Sequence, residues 1–185
     1  MAGNTGNGSG KSERRWRIAV WGTAALILPL PLLAMRLTGE VAWDLADFAI
    51  FGAMLFVACG TYELAARVSG NNAYRAAVGV ALAAAFILVW MNLAVGIIGN
   101  EENPANLMYG GVLAVGLIGA IIARFLPHGM ARTLVGMALG QALVAAIAGG
   151  DSTWSLTGFF VALWLTSARL FREAAREQSP AGAAP

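Results

Sequence analysis

The chain has 185 residues, 58% of them hydrophobic and 12% charged, with 12 Lys and Arg against 10 Asp and Glu. A water-soluble domain carries roughly 25% charged residues, so this composition, with a mean hydropathy of +0.68, excludes an ordinary soluble fold and points to an all-α polytopic membrane protein. The single cysteine, Cys59, excludes an internal disulfide and a thiolate metal cage within one chain.

Residues 1–15 are polar and rich in Gly, Asn and Ser, without apolar periodicity, and read as a disordered cytoplasmic arm. Gly10-Lys11-Ser12 has the ending of a phosphate-binding loop, but that loop needs an earlier glycine where Thr5 stands, and a strand before it. Residues 16–172 form the transmembrane domain, with six apolar runs. Each is about 20 residues long, the length that crosses a hydrocarbon core of roughly 30 Å.

The first run, Arg17 to Met35, lacks a clear signal-cleavage site and reads as a retained helix. Pro29 and Pro31 should interrupt its outer half, because proline removes an amide donor and clashes one turn back. The second run covers Leu45–Leu64, the third Ala76–Gly99 and the fourth Pro104–Phe125. The fifth, Met130–Gly149, is rich in Ala and Gly and has the weakest signal; the sixth is Trp154–Phe171. Residues 173–185 read as a flexible cytoplasmic tail.

Six spans place Lys11, Arg14, Arg15, Arg17, Arg67, Arg75, Arg124, Arg132, Arg169, Arg172 and Arg176 on the side of the N-terminus and only Arg36 opposite. Short loops rich in Lys and Arg stay in the cytoplasm, so both termini are expected there, in a bacterial inner membrane. The basic sequence pI of 9.1 thus reflects orientation and implies no nucleic-acid partner. Trp43 and Trp154 at the outer boundary, and Trp16 and Trp21 at the inner one, fit an interfacial belt.

The most distinctive stretch runs Val95-Gly-Ile-Ile-Gly-Asn-Glu-Glu-Asn-Pro-Ala-Asn-Leu-Met-Tyr109. Glu101, Glu102, Asn103 and Asn106 offer hard oxygen ligands to a cation at the outer surface. The simpler reading makes Asn103 the cap of the fourth helix and Pro104 its first residue, with the acids favouring the positive helix start. From Trp90 to Ala131 the chain resembles a group of small, uncharacterised bacterial integral membrane proteins with a similar turn between two spans. That resemblance implies a membrane location and no known activity.

Elsewhere the polar residues are sparse. Asp44 and Asp47 are spaced as a capping pair at the start of the second span, and Glu63, the carboxylate nearest the membrane interior, stands one helical turn before Arg67 as a surface ion pair or, alternatively, an intramembrane charge partner. Asn92 and Gln141 are the amides well inside the membrane, and each should face protein as an interhelical hydrogen-bonding group. Trp90 and Trp164 are expected in the core. Gly136 with Gly140, Gly116 with Ala120, and Gly79 with Ala83 have the spacing that lets helices approach closely. The sole histidine, His128, excludes bis-histidine haem within one chain, and no lysine lies in a span to carry a retinal Schiff base. The reading is therefore a non-enzymatic inner-membrane protein without cofactor, an accessory or scaffold subunit whose partners are the bilayer and another membrane protein or a second copy. The alternative is a small transporter or channel for a polar solute or ion.

Overall fold

A computed structural model describes residues 7–38, 42–100, 102–148 and 150–179, the side chains of 7–15, 151 and 152 excepted. All regular structure among them is helical: α1 (Asn7–Ile27), α2 (Leu30–Leu37), α3 (Leu45–Val68), α4 (Asn72–Ala94), α5 (Met108–Ile122), α6 (Pro127–Ala148) and α7 (Asp151–Gln178). A 3₁₀ turn, Pro104–Leu107, leads into α5. Among the described residues, six stretches are long and apolar enough to cross a membrane, Trp16–Leu37 counting as one. The Ala/Gly-rich fifth run is among them: α6 has 22 residues, which at about 1.5 Å per residue reaches across the hydrocarbon layer.

Helix ends depart from the sequence reading where elongation is cheap. α1 begins at Asn7, within the stretch read as an arm, and α7 runs to Gln178, into the stretch read as a tail. Extending an existing helix costs far less than nucleating one, and Arg172, Glu173, Ala174, Ala175 and Arg176 are good helix formers. Residues 1–6 and 180–185 lie outside the described residues. Conversely, α4 stops at Ala94 and does not reach Gly99. Gly96 and Gly99 take φ of 68° and 74°, left-handed values that end the helix and bend the chain back.

The chain divides into two compact units, Met1–Leu64 and Ala65–Pro185. In the first, the prolines act as expected: α1 ends at Ile27 and α2 starts at Leu30, with Pro31 buried. The Leu33 amide donates to the Pro29 carbonyl across the break. Asp44 and Asp47 cap α3 reciprocally, each carboxylate accepting the other's backbone amide at 2.9 Å. One face of α3 buries Phe51, Leu55 and Cys59, spaced one turn apart. Trp21 packs its ring against Phe56, and Trp43 sets its ring edge-on against Phe48 and Phe51.

In the second unit α6 packs against α5 and α7, and α7 also against α4. The α5–α6 contact depends on missing side chains. A Cβ on Gly116 would stand 2.6 Å from Met137 Sδ, and one on Gly119 would stand 2.5 Å from Thr133 Cγ2 and 3.0 Å from its Cβ. Val115 faces Gly136 and Val112 faces Gly140, so Gly116, Gly136 and Gly140, three of the small residues singled out by spacing, line the α5–α6 contact, whereas Ala83 on α4 is exposed. Across α4 and α7, the Ser167 hydroxyl donates to the Ala77 carbonyl at 2.7 Å, and the Tyr74 ring meets Phe171 edge-on. Trp164 is fully buried as expected, whereas Trp90 is 36% exposed and lies beside Phe86 at the rim. That departure follows from helix phase. Leu88 takes the buried face of α4 near that level, and a side chain two residues on points well away from it.

The turn between α5 and α6 puts two non-glycine residues in the left-handed region, Arg124 at φ 50° and Phe125 at φ 58°. Such backbone is costly for a bulky residue. It is held by the Phe125 amide donating to Ala120 O, and by the Tyr74 hydroxyl donating to Phe125 O at 3.0 Å. At the start of α4, Asn71 accepts the Tyr74 amide at 2.8 Å and donates its own Nδ2 to Glu177 at 2.7 Å. Arg75 donates to the Ser69 and Ala66 carbonyls, which satisfies the end of α3.

The α5–α6 geometry orders two substitutions. Gly119→Ala meets a stiff, branched Thr133 and should lose about 1–3 kcal/mol, the usual cost of overpacking. Gly116→Ala meets the flexible end of Met137 and should lose less. Thermal unfolding of both variants in one detergent measures the order.

Candidate functional site

Three polar groupings are candidates. The first is the segment between α4 and α5, which Asn106 organises. Its Oδ1 accepts the backbone amides of Ile97 at 3.0 Å and Ile98 at 2.9 Å. Its Nδ2 donates to Asn100 O at 2.7 Å and to Ile98 O at 3.4 Å. The amide is buried, as are Ile97 and Ile98, so the segment folds inward around it. Asn103 caps the 3₁₀ turn by accepting the Ala105 amide at 3.0 Å, with Pro104 in the first turn as its missing amide permits. A carboxamide oxygen has two acceptor sites, and Asn106 has committed both to the backbone. Glu102 is exposed, and Glu101 lies outside the described residues. This arrangement serves the turn rather than a cation.

The second grouping is Glu63 in the first unit. Arg17 Nε lies 2.9 Å from one carboxylate oxygen, and the Trp21 indole donates to the other at 2.9 Å. Arg17 and Trp21 both come from α1, far from Glu63 in sequence. The Arg17 side chain is 61% exposed and that of Glu63 15%. Such a pair contributes about 0.2–1 kcal/mol; the indole bond fixes α1 against α3.

The third grouping lies inside the second unit. Gln141 on α6 is 0% exposed, and neither Nε2 nor Oε1 has a hydrogen-bond partner among the described residues. Tyr109 on α5 and Thr157 on α7 are also buried; their hydroxyls adjoin without the geometry of a full hydrogen bond. Register brings the three to one level. The pairs Val112/Gly140, Val115/Gly136 and Gly119/Thr133 set the α5–α6 alignment, which carries Tyr109 to residues 141–144. Gln141 and Thr157 lie on either side of the turn at Gly150, roughly 13 Å and 10 Å from it along their helices. About two turns further along α7, the buried Trp164 indole is also without a partner. Asn92 is half-buried; its Nδ2 donates to Leu88 O within α4 at 2.8 Å, and its Oδ1 is enclosed without a partner.

An amide enclosed without a partner costs about 1–3 kcal/mol on mutational scales, so Gln141 is a costly residue of the unit. Sequence reasoning found Gln141 and Asn92 because amides stand out in apolar runs. It missed Tyr109 and Thr157, which match many tolerated polar residues in membrane helices. Only the antiparallel register unites them.

No protein-family model, curated protein or solved structure matches the chain. The class rests on the molecule itself, a multi-pass membrane protein with six apolar helices.

Asn106→Ala strands the Ile97 and Ile98 amides, each at about 1–3 kcal/mol, and should open residues 96–103 to hydrogen exchange. Asn103→Ala loses one cap, about 0.5–2 kcal/mol, and Glu102→Gln should change little. Hydrogen exchange and thermal unfolding check this order; a larger loss in Glu102→Gln, accompanied by calcium stabilisation of the parent, would reverse the assignment.

Proposed function

We propose that this chain is a non-enzymatic protein of the bacterial inner membrane, with both termini in the cytoplasm, acting as an accessory or scaffold subunit against another membrane protein. Support for orientation is the placement of basic residues on one side of alternating spans. Support for the accessory role is the contrast between the two units. In the second, between 22% and 39% of each apolar window is buried inside the chain; in the first two spans the figures are 6% and 11%. Those spans carry exposed Ile18, Leu26, Ile50, Phe56 and Val57. Without a hydrophobic driving force between helices in lipid, association rests on close packing, and these two spans leave most of theirs unused within their own unit. The open backbones at Gly22 and Gly60, where an added Cβ meets nothing within 4 Å, are of the kind a partner helix packs against.

The alternative, a conduit for a polar solute, draws on the polar groups of the second unit. Their enclosure argues for a closed interior over a continuous wet path, and this favours the accessory reading.

Reporter fusions after Arg67, His128 and Pro185 are expected to report cytoplasm, and fusions after Glu40, Glu102 and Asp151 periplasm. A periplasmic signal at Pro185 would overturn the orientation. For the role, a photo-crosslinking residue at Leu26 or Phe56 should yield a discrete protein adduct in native membranes, and one at the exposed Leu139 of the second unit should not. The adduct mass separates a second copy from a different subunit. Lipid adducts alone at all three positions would overturn the accessory role.

A further inference from the structure

We propose that the end of the second unit that carries the α5–α6 turn binds the headgroup of an anionic phospholipid, held by Arg132 on α6 and by Arg169 and Arg172 on α7. The site needs only that α6 and α7 cross a bilayer. It depends neither on the accessory role nor on which side is cytoplasmic.

Helix geometry brings these side chains together. α6 and α7 pack against each other and run antiparallel from the turn at Gly150. At about 1.5 Å per residue, Arg132 and Arg169 each stand roughly 28 Å from that turn. His128 and Arg172 each stand roughly 33 Å from it, and Arg176 follows one turn further along α7. The five also share one side of the seam. Ala131 and Ala168, both buried, precede Arg132 and Arg169 in sequence. Ala131 lies on the face of α6 turned well away from Thr133 and Gly136, which meet α5. Seen from the α5–α6 turn, α6 recedes and α7 approaches, so one residue forward rotates the two helices in opposite senses. From the buried alanines, that step carries Arg132 and Arg169 out to the same side. His128 stands four residues before Arg132, and Arg172 and Arg176 stand three and seven after Arg169, which keeps each on its flank. α4 takes the other flank of α7, where it bonds to Ser167 and Glu177.

Charge and depth fix the class of partner. All five side chains are exposed, and none has a hydrogen-bonding or ion-pair partner among the described residues. Of the acids on this part of α7, Glu177 is engaged by Asn71, and Glu173 forms no ion pair with Arg169 or Arg176. Guanidinium groups with unused donors match phosphate oxygens, which can accept two parallel N–H bonds from one arginine. A hydrocarbon layer of about 30 Å sets this level at the phosphates of one leaflet. Toward Gly150 the same flank becomes apolar: Leu139, seven residues from Arg132, and Leu165, four from Arg169, are both exposed. Apolar surface beneath the basic group receives acyl chains, which selects a lipid over a soluble phosphate.

The full chain in a neutral detergent is titrated with dioleoyl phosphatidylglycerol, dioleoyl phosphatidylcholine and glycerol phosphate, and bound molecules are counted by native mass spectrometry. Phosphatidylglycerol is expected to bind saturably and more tightly than phosphatidylcholine, and glycerol phosphate not to bind over the same range. Combining Arg132→Gln, Arg169→Gln and Arg172→Gln should weaken phosphatidylglycerol by about a hundredfold, roughly fivefold for each charge near an anionic surface. Phosphatidylcholine binding should stay as in the parent, which checks that the fold persists. Combining Lys11→Gln, Arg14→Gln and Arg15→Gln removes equal charge from α1 and should leave phosphatidylglycerol affinity unchanged. Equal affinity for the two lipids would overturn the site. An equal loss in the two triple variants would also overturn it, since that pattern marks diffuse attraction. Saturable binding of glycerol phosphate would overturn the lipid as its occupant.

Discussion

Within the Ala65–Pro185 unit, the contact on which the packing depends is the close approach of α5 and α6 at Gly116 and Gly119. Lipid offers no hydrophobic reason for two apolar helices to associate, so the gain must come from dispersion between atoms brought near one another. Side chains on both helices would hold the backbones apart. Here the glycines of α5 receive Met137 and Thr133, while Gly136 and Gly140 on α6 receive Val115 and Val112. The reciprocal pattern fixes rotation and register together. Once the register is fixed, Tyr109 stands beside the level of Gln141, and the polar groups of the unit acquire their neighbours.

Hydrocarbon also forbids exposed backbone polar groups, and side chains meet this constraint at four of the described helix breaks. Asn106 ties down the residues after α4, Arg75 the carbonyls at the end of α3, Tyr74 the turn after α5 and Asn71 the start of α4. Most of these side chains bond to backbone rather than to one another. They therefore behave as fixtures of the fold, and the Gln141 level differs from them in kind.

The legibility of the sequence follows the range of the forces involved. Helix number and placement were readable because bilayer thickness imposes a length, and the capping pair Asp44/Asp47 because its chemistry is local. The Asn103-Pro104 start was equally plain, since the proline's missing amide suits a first turn. Asn106 was visible as a polar residue, but its role depended on Gly96 and Gly99 turning the backbone toward it. The partners of Glu63 were hidden because Arg17 and Trp21 are distant in sequence. Tyr109 and Thr157 were hidden for the same reason: their significance comes from a level shared by three helices. Trp90 was misplaced because depth along a helix says nothing about which face a side chain occupies.

The bonds between α4 and α7 have a consequence for how the protein is made. Ser167 reaches back 90 residues to Ala77, and Glu177 reaches back 106 to Asn71. During synthesis, α4 emerges and enters the bilayer long before its partner exists. Through that interval, the face of α4 bearing Ala77 lacks α7, and Asn71 waits without its carboxylate. Assembly of this unit is therefore completed from the last helix inward. A ribosome that stalls before α7 leaves an inserted but unclosed intermediate, a natural substrate for membrane quality control.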